Sequence, residues 1–251
     1  MLYVICGHGH GDPGSGGGGE TEADLVRRLA GRMRAIGGSS VEVLDTSKNW
    51  YAQGLVNASL KKKVGGNPVV ELHMDAANGK ARGGHVIIDA DLSADACDKA
   101  LASYIAGKFP GRSEKLVKRN DLANLNRAQA QGIDYRLLEV CFIDNRADRE
   151  EFLADMDEVA AGILAAFGIS AKGASVGGKW KKNSKGWWYE YADGTYPRSR
   201  WLKLDAWYWF DSSGYAARSC CLKIAGKWYA FGPDCRMKTS VEVNANGDLA
   251  L

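Results

Sequence analysis

The residues of this sequence best suited to chemistry are histidines and acids that stand beside apolar segments. His8 and His10 closely follow the apolar run Leu2–Cys6, and a β-rich run stopped by glycine is typical of a buried strand that ends at a sheet edge. His73 stands near the end of the alternating segment VVELHMDA, which predicts another strand. An imidazole at a strand end is well placed to bind a metal ion, because open α/β sheets bind ligands at that edge.

Glu22 stands at the start of a predicted helix. The apolar residues of this helix share one face at helical spacing: Leu25, Val26, Leu29, Met33 and Ile36. Glu22 lies on that face, whereas Glu20 is rotated ~200° from it. One explanation is that an acid in the first turn interacts favourably with the helix dipole. The alternative is that Glu22 binds a metal ion, because a carboxylate aimed at a core costs several kcal/mol unless a cation meets it.

The combination of these residues indicates a metal site. Two histidines and a glutamate from separate elements are the ligand set of a hydrolytic zinc site, whose fourth position is left for water. A single histidine is more often structural than a ligand, so the hypothesis depends on His8, Glu22 and His73 together. His85 alternates with Ile87 in a further predicted strand, and we interpret it as a rim or core residue.

Another acid, Glu139, interrupts the nearly continuous apolar segment RLLEVCF at 136–142. A carboxylate inside a buried strand is costly unless it faces a polar site. Acids in such environments cluster at functional sites. The segment therefore predicts that Glu139 faces the same site as the histidines.

The elements that position these residues form an alternating pattern over the first 169 residues. Strands are predicted at 2–6, 41–44, 69–74, 85–90 and 116–118, and within 136–142. Besides the helix at Glu22, helices are predicted at 93–109, with Ser93 as N-cap and Asp95 in the first turn, and at 148–167. Such alternation predicts an α/β fold, a mostly parallel sheet flanked by helices.

The composition changes after residue 169. Residues 170–177 have the composition of a linker, and all tryptophans but one lie between Trp180 and Tyr229. Three similar aromatic segments begin at 188, 207 and 228, each predicting a strand, a turn and a second short strand. We therefore predict a domain at 1–169, a linker at 170–177 and a small all-β domain of hairpin repeats, a solenoid, at 178–251.

The first domain resembles the zinc-dependent N-acetylmuramoyl-L-alanine amidases of the autolysin and phage endolysin type. The resemblance rests on GHGHGDPG, on Glu22 opening a helix, on ELHMDA and on LLEVCFIDN, in that order. It implies that His8, Glu22 and His73 bind Zn²⁺ and that Glu139 is the catalytic glutamate. The sequence departs from this family at His10, usually glycine, and at Asp75, usually asparagine. His10 could compete for the metal, and Asp75 adds a negative charge close to it.

The resemblance also implies the reaction, which is hydrolysis of the amide between N-acetylmuramic acid and L-alanine in bacterial peptidoglycan. Zinc would polarise the scissile carbonyl and lower the pKa of its water towards ~7. Glu139 would take the water proton and pass it to the leaving nitrogen. Two alternatives are a zinc peptidase that cuts within the stem peptide and a non-catalytic wall-binding protein. The presence of all four site residues argues against the second.

The aromatic segments resemble the choline-binding type of cell-wall-binding repeat. The resemblance implies aromatic cages for a cationic group of a choline-like or other wall polymer, since ring faces attract quaternary ammonium ions. Two cages are expected, one from Trp180, Trp188 and Trp209, the other from Trp201, Trp207 and Tyr229. The third repeat has Cys220 and Cys221 where a ring would be needed. Stacking that stabilises the repeats explains part of this pattern in any case.

The composition of the chain argues against several classes of partner and location. The net charge of +3 over 251 residues is too slight to indicate nucleic acid binding, and the six cysteines lack C-x-x-C spacing, so we interpret them as free thiols. No segment approaches the ~20 apolar residues of a membrane span, and the apolar run after Met1 is too short for a secretory signal. Two explanations remain open for a wall hydrolase of this kind: it is cytoplasmic until another route releases it, as with phage and prophage endolysins, or its leader has been removed.

Overall fold

The computed structural model describes residues 1–169, 178–191, 194, 196–224, 227–240, 242–243 and 249–250. The chain forms two compact units, Met1–Lys172 and Gly173–Leu251. The predicted linker, 170–177, lies outside the described residues. In the described part of the chain, none of the helices combines the length and the apolar character that crossing a membrane requires.

Residues 1–169 of the first unit form eight strands, which in chain order are β1 (Leu2–Cys6), β2 (Gly16–Gly17), β3 (Glu20–Thr21), β4 (Val41–Val43), β5 (Val69–Asp75), β6 (His85–Asp89), β7 (Leu116–Arg119) and β8 (Tyr135–Phe142). Its α-helices are α1 (Glu22–Gly37), α2 (Ala58–Val64), α3 (Ala96–Lys108), α4 (Ala123–Ala130), α5 (Arg146–Ala154) and α6 (Met156–Ala166). Six strands form one sheet in the order β4-β1-β5-β8-β6-β7, in which the neighbours pair in parallel except β6 and β8. The expected α/β fold with a mostly parallel sheet is confirmed.

Alternation along the strands gives the sheet two different faces. In β5, Val70, Leu72 and Met74 pack in a core with α1, α3, α5 and α6. The other face carries Val69 in a second core formed with α2 and α4. Glu71 and His73 share this second face, so the polar site is built on the side that the smaller helices cover.

Two helix predictions are wrong: α3 begins later than predicted, and one predicted helix is divided in two. An aspartate lies at each of these positions. Helix α3 begins after Asp95, not Ser93: the side chain of Asp95 accepts the amide of Asp98 at 2.7 Å, and Asp98 accepts the amide of Asp95 at 3.0 Å. This reciprocal capping box stabilises the later start. The single helix predicted over 148–167 is two helices, α5 and α6, separated at Asp155, which has φ −114° and ψ 22°. The carboxylate of Asp155 there binds Lys108 of α3 at 2.7 Å.

The second unit consists of two-stranded antiparallel hairpins, as expected. They are β9 (Gly178–Lys182) with β10 (Trp187–Tyr191), β11 (Arg200–Lys203) with β12 (Trp207–Phe210), β13 (Cys220–Ile224) with β14 (Lys227–Phe231), and β15 (Glu242–Val243) with β16 (Leu249–Ala250). Successive hairpins are joined by equivalent hydrogen bonds: Ala216 donates to the carbonyl of Trp187 and Met237 to that of Trp207, both at 2.8 Å. The hydrogen bond between neighbouring hairpins therefore recurs together with the aromatic sequence motif.

Candidate metal centre and active site

The candidate residues meet at the point where the sheet order reverses. Strand β1 lies between β4 and β5, which are the next two strands of this sheet along the chain. Because the chain leaves in opposite directions there, a crevice opens at the carboxyl ends of β1 and β5. His8 follows β1 after one glycine, and His73 lies near the end of β5. Their ring centroids are 5.0 Å apart.

Glu22 lies between the two histidines. Its Oε1 is 3.1 Å from Nε2 of His8 and 2.9 Å from Nδ1 of His73. The same oxygen accepts the amide of Met74 at 3.0 Å, and Oε2 accepts the amide of Ser15 at 3.0 Å. Only 2% of Glu22 is exposed. The inward orientation that the helical pattern predicted is therefore what the structure has.

The loop after β1 approaches these side chains too closely to carry side chains of its own at two positions. A Cβ on Gly14, whose φ is +65°, would lie 2.7 Å from Oε2 of Glu22 and from Cδ2 of His8. A Cβ on Gly7 would lie 2.3 Å from Cε1 of His73. Glycine is required because the loop closes directly over the site.

The protonation of this group follows from its mutual contacts. Burial alone would raise the pKa of the Glu22 carboxyl, but hydrogen bonds from His73, His8 and Met74 outweigh it and hold the pKa well below its ordinary value. The hydrogen bond to Glu22 raises the pKa of His8. For His73, burial lowers the pKa, yet the contacts with Glu22 and Glu71 outweigh burial and raise it well above the ordinary value. The contacts with Glu22 thus raise the pKa of both histidines and lower that of the carboxyl.

The donor set fits a zinc ion. One ligand atom from each of His8, Glu22 and His73 lies within 4.8 Å of the others, and two imidazole nitrogens with one carboxylate oxygen match a catalytic zinc site. His10 is exposed and is not part of this group. The competition expected from His10 therefore has no support in the arrangement of the described residues.

Glu139 lies beside the candidate metal centre, in a row of paired residues that crosses three strands. It pairs with His73 in β5 and with His85 in β6, so all three side chains point to the same face. Burial raises the pKa of Glu139 to about 7, helped by the charge of Glu22 and opposed by His73, Arg112 and His8. Its Oε2 is buried without a hydrogen-bond partner in the described part of the structure. The carboxyl is poised to exchange a proton near neutral pH.

Asp75 does not leave an unbalanced negative charge at the site. Its carboxylate forms an ion pair with Arg112, and the guanidinium of Arg112 lies 4.6 Å above the ring of Phe142. His85 Nδ1 is 3.9 Å from the same carboxylate, and burial lowers the pKa of His85 to about 4. The sequence did not single out Arg112.

The sequence analysis missed two carboxylates that contact His8 and His73. Each of them lies next to the ring nitrogen that does not face Glu22. Asp12 lies 2.9 Å from Nδ1 of His8, and Glu71 lies 3.4 Å from Nε2 of His73. A signal for Glu71 was present in the sequence, since it is an acid in an apolar strand on the same face as His73. The argument made for Glu139 applies equally to Glu71.

In the second unit, one expected aromatic group is brought together and the other is not. The rings of Trp201 and Trp207 lie 6.2 Å apart, and that of Tyr229 lies 4.8 Å from Trp201. Trp209, expected beside Trp180, lies instead 5.5 Å from Trp201, its partner across the hairpin.

Trp188 is on the opposite face of its hairpin from Trp180, because Trp180 pairs with Tyr189 and alternate residues face opposite ways. The ring of Trp188 contacts Tyr215 at 6.2 Å. The ring of Trp180 packs against Tyr189 at 5.5 Å and Phe210 at 5.8 Å, and also against Trp187 at 6.4 Å and Tyr208 at 4.9 Å. Of these, Trp187 and Tyr208 form a group with Trp180 at the surface of a cavity. These three line a cavity of about 410 Å³ together with the segment 233–236.

In the third hairpin Cys221 pairs with Ala230, as Trp201 pairs with Trp209 in the second. A ring is therefore missing from this hairpin, as the sequence predicted.

Comparison with known proteins identifies the family of the first unit. Residues 2–169 match the model of a family described as N-acetylmuramoyl-L-alanine amidase. The chain belongs to this amidase family. The family membership expected from the motifs is confirmed.

A curated relative of the amidase chain is the probable autolysin PH of Staphylococcus aureus (strain NCTC 8325 / PS 47). It is 32% identical over 202 residues, a match that covers 73% of this chain and 41% of the relative. The match thus spans about two fifths of the length of that relative.

Solved structures agree on the fold of the amidase unit. An N-acetylmuramoyl-L-alanine amidase from Clostridium difficile 630 has a TM-score of 0.56 at 18% identity and covers 66% of this chain and 94% of its own. The catalytic domain of CwlV from Bacillus (Paenibacillus) polymyxa var. colistinus has a TM-score of 0.54 at 18% identity, with 66% and 95% covered. At this identity the likeness shows the fold alone.

Proposed function

We propose that this chain is a zinc-dependent peptidoglycan hydrolase that cleaves the amide between N-acetylmuramic acid and L-alanine in the bacterial cell wall. The observation that carries the proposal is the convergence of His8, Glu22 and His73 within 4.8 Å, in a chain of the amidase family. Glu139, in register with His73, supplies the proton-transfer group that such a hydrolysis needs.

In the proposed reaction, His8, Glu22 and His73 hold the zinc ion. When bound, the ion supplies Lewis acidity, which polarises a carbonyl and makes water a better nucleophile at neutral pH. Glu139 accepts the proton of the attacking water and delivers it to the nitrogen of L-alanine as the amide C–N bond breaks. Burial raises the pKa of this carboxyl to about 7 in the absence of the ion, and general acid–base catalysis is most effective when the pKa of the transferring group lies near the working pH.

The test compares metal-stripped protein with protein to which Zn²⁺ has been restored, on a soluble muramoyl peptide. We expect hydrolysis to be lost with the metal and recovered with it. His8→Ala is expected to lose bound zinc, whereas His10→Ala retains it, and this pair is matched because the two histidines share one loop. Full zinc occupancy in His8→Ala would overturn the proposed ligand set.

A peptidase that cuts within the stem peptide remains the second candidate, because the same ligand set would serve either amide bond. The masses of the products distinguish the two. The non-catalytic alternative requires a site that no longer binds metal, so stoichiometric zinc binding by the wild-type chain would exclude it.

For the second unit we propose that the hairpins attach the enzyme to a wall polymer through a cationic group. The support is the cavity of about 410 Å³ walled by Trp180, Trp187 and Tyr208, since ring faces attract quaternary ammonium groups. Trp201, Trp207 and Tyr229 form the equivalent group one repeat further along. The identity of the polymer, choline-bearing or other, is to be found by competition with free choline.

A further inference from the structure

Glu71 is a buried carboxylate that the proposed reaction does not use. It lies in β5 on the same face as His73, and only 2% of it is exposed. A charge removed from water to this extent costs several kcal/mol unless partners compensate it. Its partners therefore indicate why an acid occupies this position of an otherwise apolar strand.

Three side chains surround the carboxylate of Glu71. Oε1 accepts the side-chain amide of Asn124 at 2.9 Å, and Oε2 accepts the hydroxyl of Tyr135 at 2.5 Å. Oε1 also lies 3.4 Å from Nε2 of His73. Asn124 and Tyr135 are neutral donors, so His73 is the one among these three partners that can carry positive charge.

Asn124 is itself fixed. It is 4% exposed, and its Oδ1 accepts the guanidinium of Arg127 at 3.0 Å. The carbonyl of Tyr51 holds that guanidinium in turn, at 2.8 Å. With Oδ1 occupied in this way, the amide group of Asn124 is turned towards Glu71. The carboxylate thus has a single orientation, and it faces His73.

The same arrangement occurs at the other histidine. Asp12 Oδ2 contacts Nδ1 of His8 at 2.9 Å and accepts the side-chain amide of Asn49 at 3.1 Å. In each case a carboxylate is fixed by an asparagine and contacts the histidine nitrogen that faces away from Glu22. The nitrogens that face Glu22 are Nε2 of His8 and Nδ1 of His73.

We propose that Glu71 is a positioning residue that holds the Nε2 proton of His73, so that the two histidines are fixed in opposite tautomers. His73 then offers Nδ1 to the metal, while His8 offers Nε2. This inference rests on the zinc site of the proposed function and adds the residue that orients one ligand. A carboxylate on the outer nitrogen of a metal-binding histidine fixes the ring and increases its basicity, and loss of such a partner typically weakens metal binding 10–100-fold.

The first measurement is zinc affinity, by competition with a chromogenic chelator, on the full chain. Glu71→Gln keeps the size of the side chain and removes its charge, and it is expected to weaken zinc binding about 10–100-fold. The matched control is Glu42→Gln, a glutamate in β4 that pairs with Lys63 at 2.6 Å, and it is expected to leave the affinity unchanged. Tyr135→Phe should weaken binding in the wild-type background and have no further effect in Glu71→Gln, since it acts through Glu71.

The second measurement is the tautomer of each histidine in the zinc-loaded protein, from the nitrogen-15 shifts and ring protons in NMR spectra. Wild type is expected to show the proton of His73 on Nε2 and that of His8 on Nδ1. In Glu71→Gln the His73 signal should shift or exchange rapidly while the His8 signal stays, which a merely structural role would not produce.

The outcomes separate the two proposals. If wild type binds zinc and Glu71→Gln binds it equally well with an unchanged His73 signal, the positioning role is wrong and the zinc site stands. A His73 proton found on Nδ1 would likewise overturn the positioning role. If wild type itself binds no zinc, the proposed function fails, and this inference fails with it.

Discussion

At the scale of single residues, the site is organised by the carboxylate of Glu22. One oxygen contacts both histidines and a backbone amide, and the other oxygen accepts a second amide. Burying a charge is tolerated here because every oxygen has donors and the histidines carry compensating charge. The two histidines and the carboxylate each contribute a ligand atom to one group, in which these atoms lie within 4.8 Å of one another.

The role of Glu139 gives the first prediction. Glu139→Gln keeps the shape of the side chain and removes its capacity to accept a proton, so hydrolysis of a soluble muramoyl peptide should fall by at least 10²-fold. Zinc content, measured by metal analysis of the purified protein, should equal that of wild type because Glu139 is not a ligand. Near-normal turnover would show that another group transfers the proton.

The raised pKa of Glu139 also predicts a pH-dependent cost in the metal-free protein. Folding raises this pKa from 4.5 to about 7, so the folded state prefers the protonated acid. The resulting destabilisation is absent below pH ~4.5, grows as the pH rises, and is complete above pH ~7. At 1.36 kcal/mol per pKa unit, Glu139→Gln should stabilise the metal-free protein by up to about 3 kcal/mol at pH 8 and by little at pH 4.

Denaturant unfolding in the presence of a chelator at the two pH values measures this difference. Glu114→Gln, at an exposed position, is the control and should show no such dependence. Equal effects of Glu139→Gln at both pH values would mean that the carboxyl is not destabilised by burial.

At the scale of elements, Asp148 of α5 connects the segment 76–84 to the strand β8, which carries Glu139. Asp148 is fully buried, with 0% exposed, and it accepts Nε of Arg82 at 2.7 Å and the amide of Gly83 at 2.8 Å. It also accepts the amide of Phe142, the last residue of β8, at 3.2 Å. One side chain thus joins a helix, a loop and the strand that carries Glu139.

Asp148→Ala is predicted to lower the free energy of unfolding of the first unit by about 3 kcal/mol, because it leaves buried donors without an acceptor. The control is Glu150→Ala on the same helix, whose exposed ion pair with Arg146 is 2.8 Å long. It should change stability by less than about 0.5 kcal/mol. Chemical denaturation of the two variants at pH 7 tests the difference, and equal effects would contradict the assigned role of Asp148.

The elements that the sequence predicts well are those with a strong apolar pattern. Strands β1, β5 and β8 and helix α1 follow directly from it. Helix α4 was not predicted, because half of its segment ANLNRAQA is polar and only Asn124, Leu125 and Ala128 are buried. Helix α4 packs against β8 and β6. These contacts come from the tertiary structure, so the local sequence pattern does not predict them.

The residues of the candidate site also divide into those that the sequence predicts and those that it does not. His8, Glu22, His73 and Glu139 are found from residue type and position on a face. Asp12, Asn49 and Asn124 are not, since their importance depends on tertiary contacts with those residues. The aromatic pairing was partly wrong because two adjacent tryptophans, Trp187 and Trp188, face opposite ways, and only the strand register decides which of them meets Trp180.

At the scale of the whole molecule, an amidase unit is joined in one chain to a unit of aromatic hairpins. Two weak sites on one chain would bind a wall polymer far more tightly than either alone, provided both can be occupied together. Attachment to the wall is therefore predicted to depend on both aromatic groups, while hydrolysis of a small soluble substrate should not.

Trp187→Ala in the full chain is predicted to weaken binding to purified cell walls several-fold, because it removes one wall of the cavity beside Trp180. Trp188→Ala is the matched control, since its ring lies on the opposite face of the hairpin, and it should bind nearly as wild type does. Sedimentation of the protein with insoluble walls measures both variants. Equal losses would show that the cavity is not the attachment site.

The most direct test of the central claim is mass spectrometry of purified peptidoglycan after digestion by the zinc-loaded chain. The account predicts stem peptides that begin with a free L-alanine amino group, together with glycan strands whose muramic acid keeps its lactyl carboxyl group. It further predicts that neither product forms with Glu139→Gln. Fragments cut between two residues of the stem, or new reducing sugar ends, would contradict the assignment of the amidase reaction to this site.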